Sequence, residues 1–369
     1  MTADTTSLRD MLVCKISQLD RRGALFPLPA VNVDDRTTES DNFALTLRNT
    51  RFELLRRREY QTLGSILTLL HRRALDLADT HLCELARILQ RHNAWHTGGL
   101  ESGQADTPEP STSACWAALD DALTGFQLNT LAQFSESTTR LERACSATPQ
   151  ARQAAQFFLG LDLVPICTAW KFWNRNEIGG DDNLLDDLAL TESVMRGDPA
   201  ATAQTQLQLL LAIGIYYLNL RNYPVAKTYL IASYRASIGK PSRLYPRIAS
   251  ALALCELHLG NPADADAYYR DAAAGLPRHF GPTGWQLRLA EFRCARGDVE
   301  GALALVQQIK ASTAAKQEIA YNLWARIYEL DYRGRLALAE REGKGLFAEA
   351  QSRHMARACR YIAERDSST

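Results

Sequence analysis

His92 and His96 stand four residues apart in the segment RHNAWH, a spacing that puts two imidazoles on one helix face where they could share a metal ion. Between them lie Asn93, Ala94 and Trp95, with neither the glutamate of an HExxH motif nor a third ligand, so no metal site is expected. Cys255 and His258 form a second pair on one helix, open to a metal or to a thiol with its base. Nothing near them in sequence would lower the thiol's pKa, and a buried thiol beside a partly exposed imidazole is the expectation. The acidic run Asp181, Asp182, Asp186 and Asp187 has the composition of a calcium loop. An EF-hand register starting at Asn174 places Gly179 correctly but leaves Ile178 and Leu185 at ligand positions, so a capped helix start fits better. The motifs of hydrolase elbows, P-loops and dinucleotide sites are absent, and no catalytic residue or cofactor is expected.

The aromatic group Phe157, Phe158, Trp170, Phe172 and Trp173 is the richest in the chain. It reads either as core at a junction between early and late helices or as the lining of a pocket or interface. Arg56, Arg57 and Arg58, with Arg72 and Arg73, lack aromatics at stacking positions and read as a solvated face. Overall 42 Lys+Arg balance 42 Asp+Glu, which gives no global attraction to nucleic acid or an anionic membrane. Locally the charge is uneven: residues 101–200 hold 6 Lys+Arg against 15 Asp+Glu, and residues 201–369 hold 22 against 15. These regions could attract each other or face partners; solvated faces are the simpler reading.

The groups are carried by helices. Val, Ile and Thr do not alternate in strand fashion, whereas Ala, Leu, Arg, Gln and Glu recur at helical spacing, so the fold class is all-α. A first helix is expected over about Ser7–Arg22, with Leu8, Leu12, Ile16 and Leu19 as its stripe, ending at Gly23 before Pro27 and Pro29. Helices resume near Asn42 and run to about Trp95, completing an N-terminal helical region over 1–96. Residues 97–114, with Leu100 their one large apolar side chain, read as a flexible linker. Residues 115–204 form a further helical region that could hold degenerate repeats. It breaks near Pro149, carries one helix over roughly Gln153–Trp173, and includes the turn at Gly179–Asp187.

Early charges at Asp4, Arg9 and Asp10 oppose a secretory signal, and the apolar window Leu207–Leu220 is too short for a membrane span. Eight cysteines without a Cys-x-x-Cys pattern fit free thiols in a reducing compartment, so a cytoplasmic chain without a membrane is expected.

The strongest pattern lies in residues 205–369. Small residues recur at Gly214, Ala253, Ala290 and Ala325, and again at Ala226, Ala265, Ala302 and Ala337, both series stepping by 39, 37 and 35 residues. Each pair is 12 apart, enough for a helix end, a turn and the start of the next helix. Two antiparallel helices approach closely only where bulky side chains are missing. The turns agree: RNYPVA at 221–226, GNPADA at 260–265 and GDVEGA at 297–302, with Asn261 and Asp298 set to cap the second helices.

These units resemble the tetratricopeptide repeat over about 205–342. The match runs through Gly214, Tyr217, Ala226 and Leu230, then Leu252, Ala253, Ala265, Tyr269 and Pro277. It continues through Leu289, Ala290, Ala302 and Val306, and ends with Tyr321, Trp324, Ala325, Tyr328 and Ala337. The units are longer than usual, Glu256 and Arg293 stand where Tyr is expected, and Arg341 replaces an apolar residue. The resemblance implies an antiparallel helix-hairpin solenoid, closed by a cap helix over about Leu346–Ala363. Its concave groove would bind a protein or peptide partner, as in a scaffold, adaptor or chaperone.

Family groove positions map onto Gln208, Leu211, Ile215, Leu218 and Asn219; Arg247, Ser250, Leu254, Leu257 and His258; Leu287, Glu291 and Cys294; and Asn322, Arg326 and Glu329. Packing within the hairpins is the alternative for Leu211, Ile215, Leu254 and Leu287. A different class of function also stays open, an enzyme whose site is assembled in a helical cavity from residues distant in sequence.

Overall fold

The computed structural model describes residues 5–19, 42–96, 114–179, 189, 203–238, 244–274, 284–311 and 319–367. The expected linker apart from Ala114, the connection through Pro27 and Pro29, the four aspartates of the acidic run, and Pro277 lie outside them. Among the described residues every regular element is an α-helix, 17 in all, as the composition and periodicity required. Contacts divide the chain into two compact units: residues 1–127 with 140–164, and residues 128–139 with 165–369.

In the first unit α1 (Thr5–Gln18) buries Leu12 and Ile16 and packs on α2 (Phe43–Arg57) and α3 (Tyr60–Asp76). The Asn42 side chain accepts the Leu45 N–H at 3.1 Å and starts α2, which ends where Arg58 turns left-handed at φ 61°. α3 pairs with α4 (Thr80–His96); α3 buries Leu63, Ile66, Leu67 and Leu70, and α4 buries Leu82, Leu85 and Leu89. The expected single helix over 153–173 is in fact two. Pro149 opens rather than breaks a helix, since it sits in the first turn of α7 (Pro149–Leu159) with Thr148 as cap. Left-handed Gly160 then separates α7 from α8 (Leu163–Ile178). Buried Arg48 and Arg51 donate to the Phe157 and Phe158 carbonyls at 2.8 Å each, placing positive charge at the negative end of α7.

Between Ala114 and α7 lie α5 (Ala117–Thr130) and α6 (Phe134–Ser146), through both of which the unit boundary passes.

The second unit carries the hairpins. α9 (Ala203–Asn219) pairs with α10 (Tyr223–Ser237), α11 (Tyr245–His258) with α12 (Pro262–Ala274), and α13 (Gly284–Ala295) with α14 (Val299–Ala311). Gly214, Ala253 and Ala290 on the first helices, and Ala226, Ala265 and Ala302 on the second, are all buried. At Gly214 a Cβ would meet Leu230 of α10 at 2.7 Å, so the helices approach to the limit that only glycine permits. Successive hairpins also touch: α10 packs on α11 and α14 on α15 (Ile319–Tyr332), while α9 contacts α11, α11 contacts α13 and α13 contacts α15.

The turns follow their chemistry with one exception. Gly260 and Gly297 adopt φ of 79° and 83°, and Asp298 Oδ1 accepts the Gly301 N–H at 2.9 Å. Asn261 is not a side-chain cap. Its amide donates instead to Glu256 at 2.8 Å, and Glu256, buried at the place of the expected Tyr, also pairs with Lys227 of α10 at 2.7 Å.

The fourth unit departs from the stride. Ala325 is buried in α15, but Ala337 lies in the non-helical stretch before α16 (Arg341–Ser352). Its carbonyl rests against Gly343, where a Cβ would collide with backbone, so this connection is set by a glycine in the next helix. The expected cap helix over 346–363 is likewise two helices, α16 and α17 (Ala356–Asp366), broken at left-handed His354 with φ 54°.

Candidate functional site

The expected partner-binding residues divide by burial. Leu211 and Ile215 of α9 and Leu254 of α11 sit in the hairpin core with Leu230 and Leu252, each no more than 5% exposed, which is the packing alternative. Gln208, Arg247 and Asn322 are half-buried. His258 stacks on Tyr223 with ring centroids 4.6 Å apart, and Arg326 pairs with Glu349 at 2.8 Å. Asn219, Leu287 and Glu291 come together in one pocket.

That pocket lies within the second unit and encloses about 670 Å³ of atom-free space, part of it open to solvent. The first helices of two hairpins and α15 supply its walls: Asn219 from α9; Leu287, Arg288 and Glu291 from α13; and Ala320, Tyr321, Trp324 and Tyr328 from α15. The end of α5 and start of α6 add Asn129, Thr130 and Phe134, α8 adds Trp173, Asn176 and Glu177, and α17 adds Arg357. Trp173 thus fulfils the pocket-lining reading of the aromatic group, and Phe172, buried in the same unit, packs near Tyr216. Phe157 and Phe158 belong to the first unit, where Phe158 packs edge-on to Trp116.

The walls are polar and charged. Glu177 accepts from the Trp324 indole N–H at 2.9 Å and from Arg357 at 2.7 Å, and the Arg357 guanidinium lies 3.9 Å above the Trp324 ring. Burial works against the charge of Arg357, but neighbouring Glu177 outweighs it and holds the pKa above its ordinary value. Burial lowers the pKa of Arg288 and raises that of Glu291, against which Arg288 and Arg357 pull the other way. Glu291 accepts a long bond from the Tyr328 hydroxyl at 3.4 Å. Arg288 donates at 3.4 Å to Gly284 of its own helix and enters no ion pair among the described residues. Two more donors, Asn219 Nδ2 and Arg357 Nε, are buried without an acceptor. Gly284 is needed for this arrangement, because a Cβ there would run into the Tyr321 ring.

Asn219, Leu287 and Glu291 are among the residues expected in a partner groove; Arg288, Tyr321, Trp324 and Arg357 are not singled out by the sequence as a set. Glu177 and Arg357 are 180 positions apart in sequence, and no local spacing could have joined them.

The other sequence candidates resolve differently. Cys255 is buried, its thiol donates to the Tyr223 carbonyl at 3.2 Å, and burial pushes its pKa to about 12, the opposite of a nucleophile. None of the eight cysteines is held in a disulfide. No cluster of three or more metal-ligating side chains occurs among the described residues. Arg56 and Arg57 pair with Glu53 at 2.5 and 2.6 Å on a half-exposed face.

His92 and His96 do lie together, with centroids 4.7 Å apart, but the Arg51 guanidinium approaches His92 Nδ1 at 3.4 Å, which disfavours a cation there. Burial, reinforced by Arg51, keeps His92 well below the ordinary imidazole range and His96 at about 4. Both are therefore neutral in the fold near pH 7, while the unfolded chain takes up protons below pH about 6.5 that the fold refuses. Their contribution is complete above that pH and is lost as pH falls toward 4. We expect acidification from pH 7 to 4.5 to lower stability by about 1–2 kcal/mol through this pair, after discounting for partial solvation. The double variant His92→Gln, His96→Gln should flatten that part of the profile in urea denaturation; an unchanged slope would remove the pair as its source.

Compared with known proteins, the chain matches no family model and no curated protein. No helix among the described residues is long and apolar enough to cross a membrane.

Proposed function

We propose that the C-terminal hairpins form a tetratricopeptide-like solenoid that works as a cytoplasmic scaffold, holding a segment of a protein partner against its first helices. The observation that carries the reading is the convergence of two first helices, α9 and α13, and of α15 on one pocket. The buried small residues at the 39- and 37-residue steps and the contacts between successive first helices support the solenoid. In such a stack the first helices share one face, and a pocket there is open to an extended or helical segment.

The test is a random-peptide display library panned against the full chain, followed by titration of the selected peptides. We expect a binding peptide whose affinity falls about tenfold or more in Ala320→Trp, which fills the pocket, with helicity retained. Equal affinity for the filled variant would remove the pocket from the partner site.

One observation favours a second reading, an enzyme with a cavity assembled from distant residues. Glu291, with its raised pKa, shares the pocket with Arg288 and Tyr328, a set able to hold and move a proton. Histidine and cysteine are missing from the described walls.

A further inference from the structure

The pocket holds donors that have no acceptor. Arg288 has five N–H groups and one long bond back to its own helix, and Asn219 Nδ2 and Arg357 Nε are buried without acceptors. A buried donor without a partner is costly, and a fold that keeps two of them around one space, beside an arginine held by one long bond, is arranged for an acceptor brought from outside. The two carboxylates in the wall limit what that acceptor can be. Glu177 is neutralised by Arg357, which leaves one guanidinium, Arg288, for a ligand whose charge must also sit beside Glu291. A dianion would face both Glu177 and Glu291 for one open cation, whereas a single negative charge on Arg288 is matched once Glu291 takes up a proton, the direction in which its burial already pushes it. A carboxylate also fits the planar fork of an arginine. The rest of the wall is flat and apolar, with the rings of Tyr321 and Trp324 beside Leu287.

We propose that this pocket binds a small monocarboxylic acid with a planar apolar body, its carboxylate on Arg288 and its body against Trp324 and Tyr321. The proposal goes beyond the scaffold reading and stands or falls without a peptide, since the ligand is titrated alone.

The experiment is calorimetric titration of the full chain with benzoate, phenylacetate, benzamide and inorganic phosphate. One of the two aromatic acids should bind saturably with one site, about tenfold or more tighter than benzamide, which keeps the ring and loses the charge. Phosphate should show no saturable binding. Arg288→Gln should weaken the acid about tenfold or more while leaving benzamide unchanged, and Arg288→Lys should restore part of the loss. Acid and amide binding alike, phosphate binding in place of the acids, Arg288→Gln binding like the parent, or no binding of either acid would each overturn the proposal. The comparison of acid with amide needs only the parent chain, so it holds even if an Arg288 variant fails to fold.

Discussion

Replacing Gly214 with valine is expected to destabilise the second unit by about 3 kcal/mol. Its missing Cβ would fall 2.7 Å from two side-chain carbons of Leu230 and 3.3 Å from the Leu230 backbone nitrogen. A methyl could be met in part by a rotamer change in Leu230, but a β-branched side chain must push α10 away from α9 and open the first hairpin. Gly345 in α16 is the matched control. It is exposed, and nothing lies within 4 Å of where its Cβ would be. There alanine removes only backbone freedom from the unfolded chain, and Gly345→Ala should raise stability by up to about 1 kcal/mol. Urea denaturation followed by circular dichroism reads both changes. A similar small effect at the two glycines would mean that the close approach at Gly214 is not a determinant of the hairpin.

Trp324→Ala is expected to have the largest effect, a loss of about 3–5 kcal/mol. The ring is only 2% exposed and packs against Tyr328 and Tyr361 with centroids 5.6 and 5.7 Å away. Removing it leaves a cavity and also takes from Glu177 its indole donor and from Arg357 the ring beneath it. Trp324→Phe keeps most of the apolar surface and loses the hydrogen bond, so its cost should be about 1–2 kcal/mol. If both variants unfold at the parent's denaturant midpoint, Trp324 is not the keystone of this pocket wall.

Much of the architecture was legible from residue types alone. Helical spacing of apolar residues predicts an all-α chain, and the small residues at a regular step mark where helices meet, because close approach leaves no room for alternatives. The departures arise where one local signal has two meanings. Pro149 reads as a breaker, yet Thr148 ahead of it makes it the first turn of a helix. Asn261 reads as a cap, yet the buried Glu256 carboxylate claims its amide. Ala337 keeps the stride in sequence but not in structure: it lies outside a helix, with its carbonyl packed against Gly343 of the next one.

Of the pocket's walls, the sequence singles out Asn219, Leu287 and Glu291 as expected groove residues, and Trp173 belongs to the aromatic group noticed for its density. Arg288 and Arg357 could not be assigned from spacing. An arginine inside an amphipathic helix looks the same in sequence whether its guanidinium reaches water or a cavity. Leu211, Ile215 and Leu254 were expected to face a groove, but their neighbours within the hairpins cover them.

The most direct measurement of the nesting on which the fold and its pocket depend is a double-mutant cycle between Gly214 and Leu230. Leu230→Ala alone should destabilise by about 2–4 kcal/mol, because a fully buried side chain is lost. In combination with Gly214→Val the truncated side chain makes room for the new one, and the pair should cost at least about 1 kcal/mol less than the two single changes added together. Strict additivity would contradict the claim that these helices are held together by one small residue fitting under one large one.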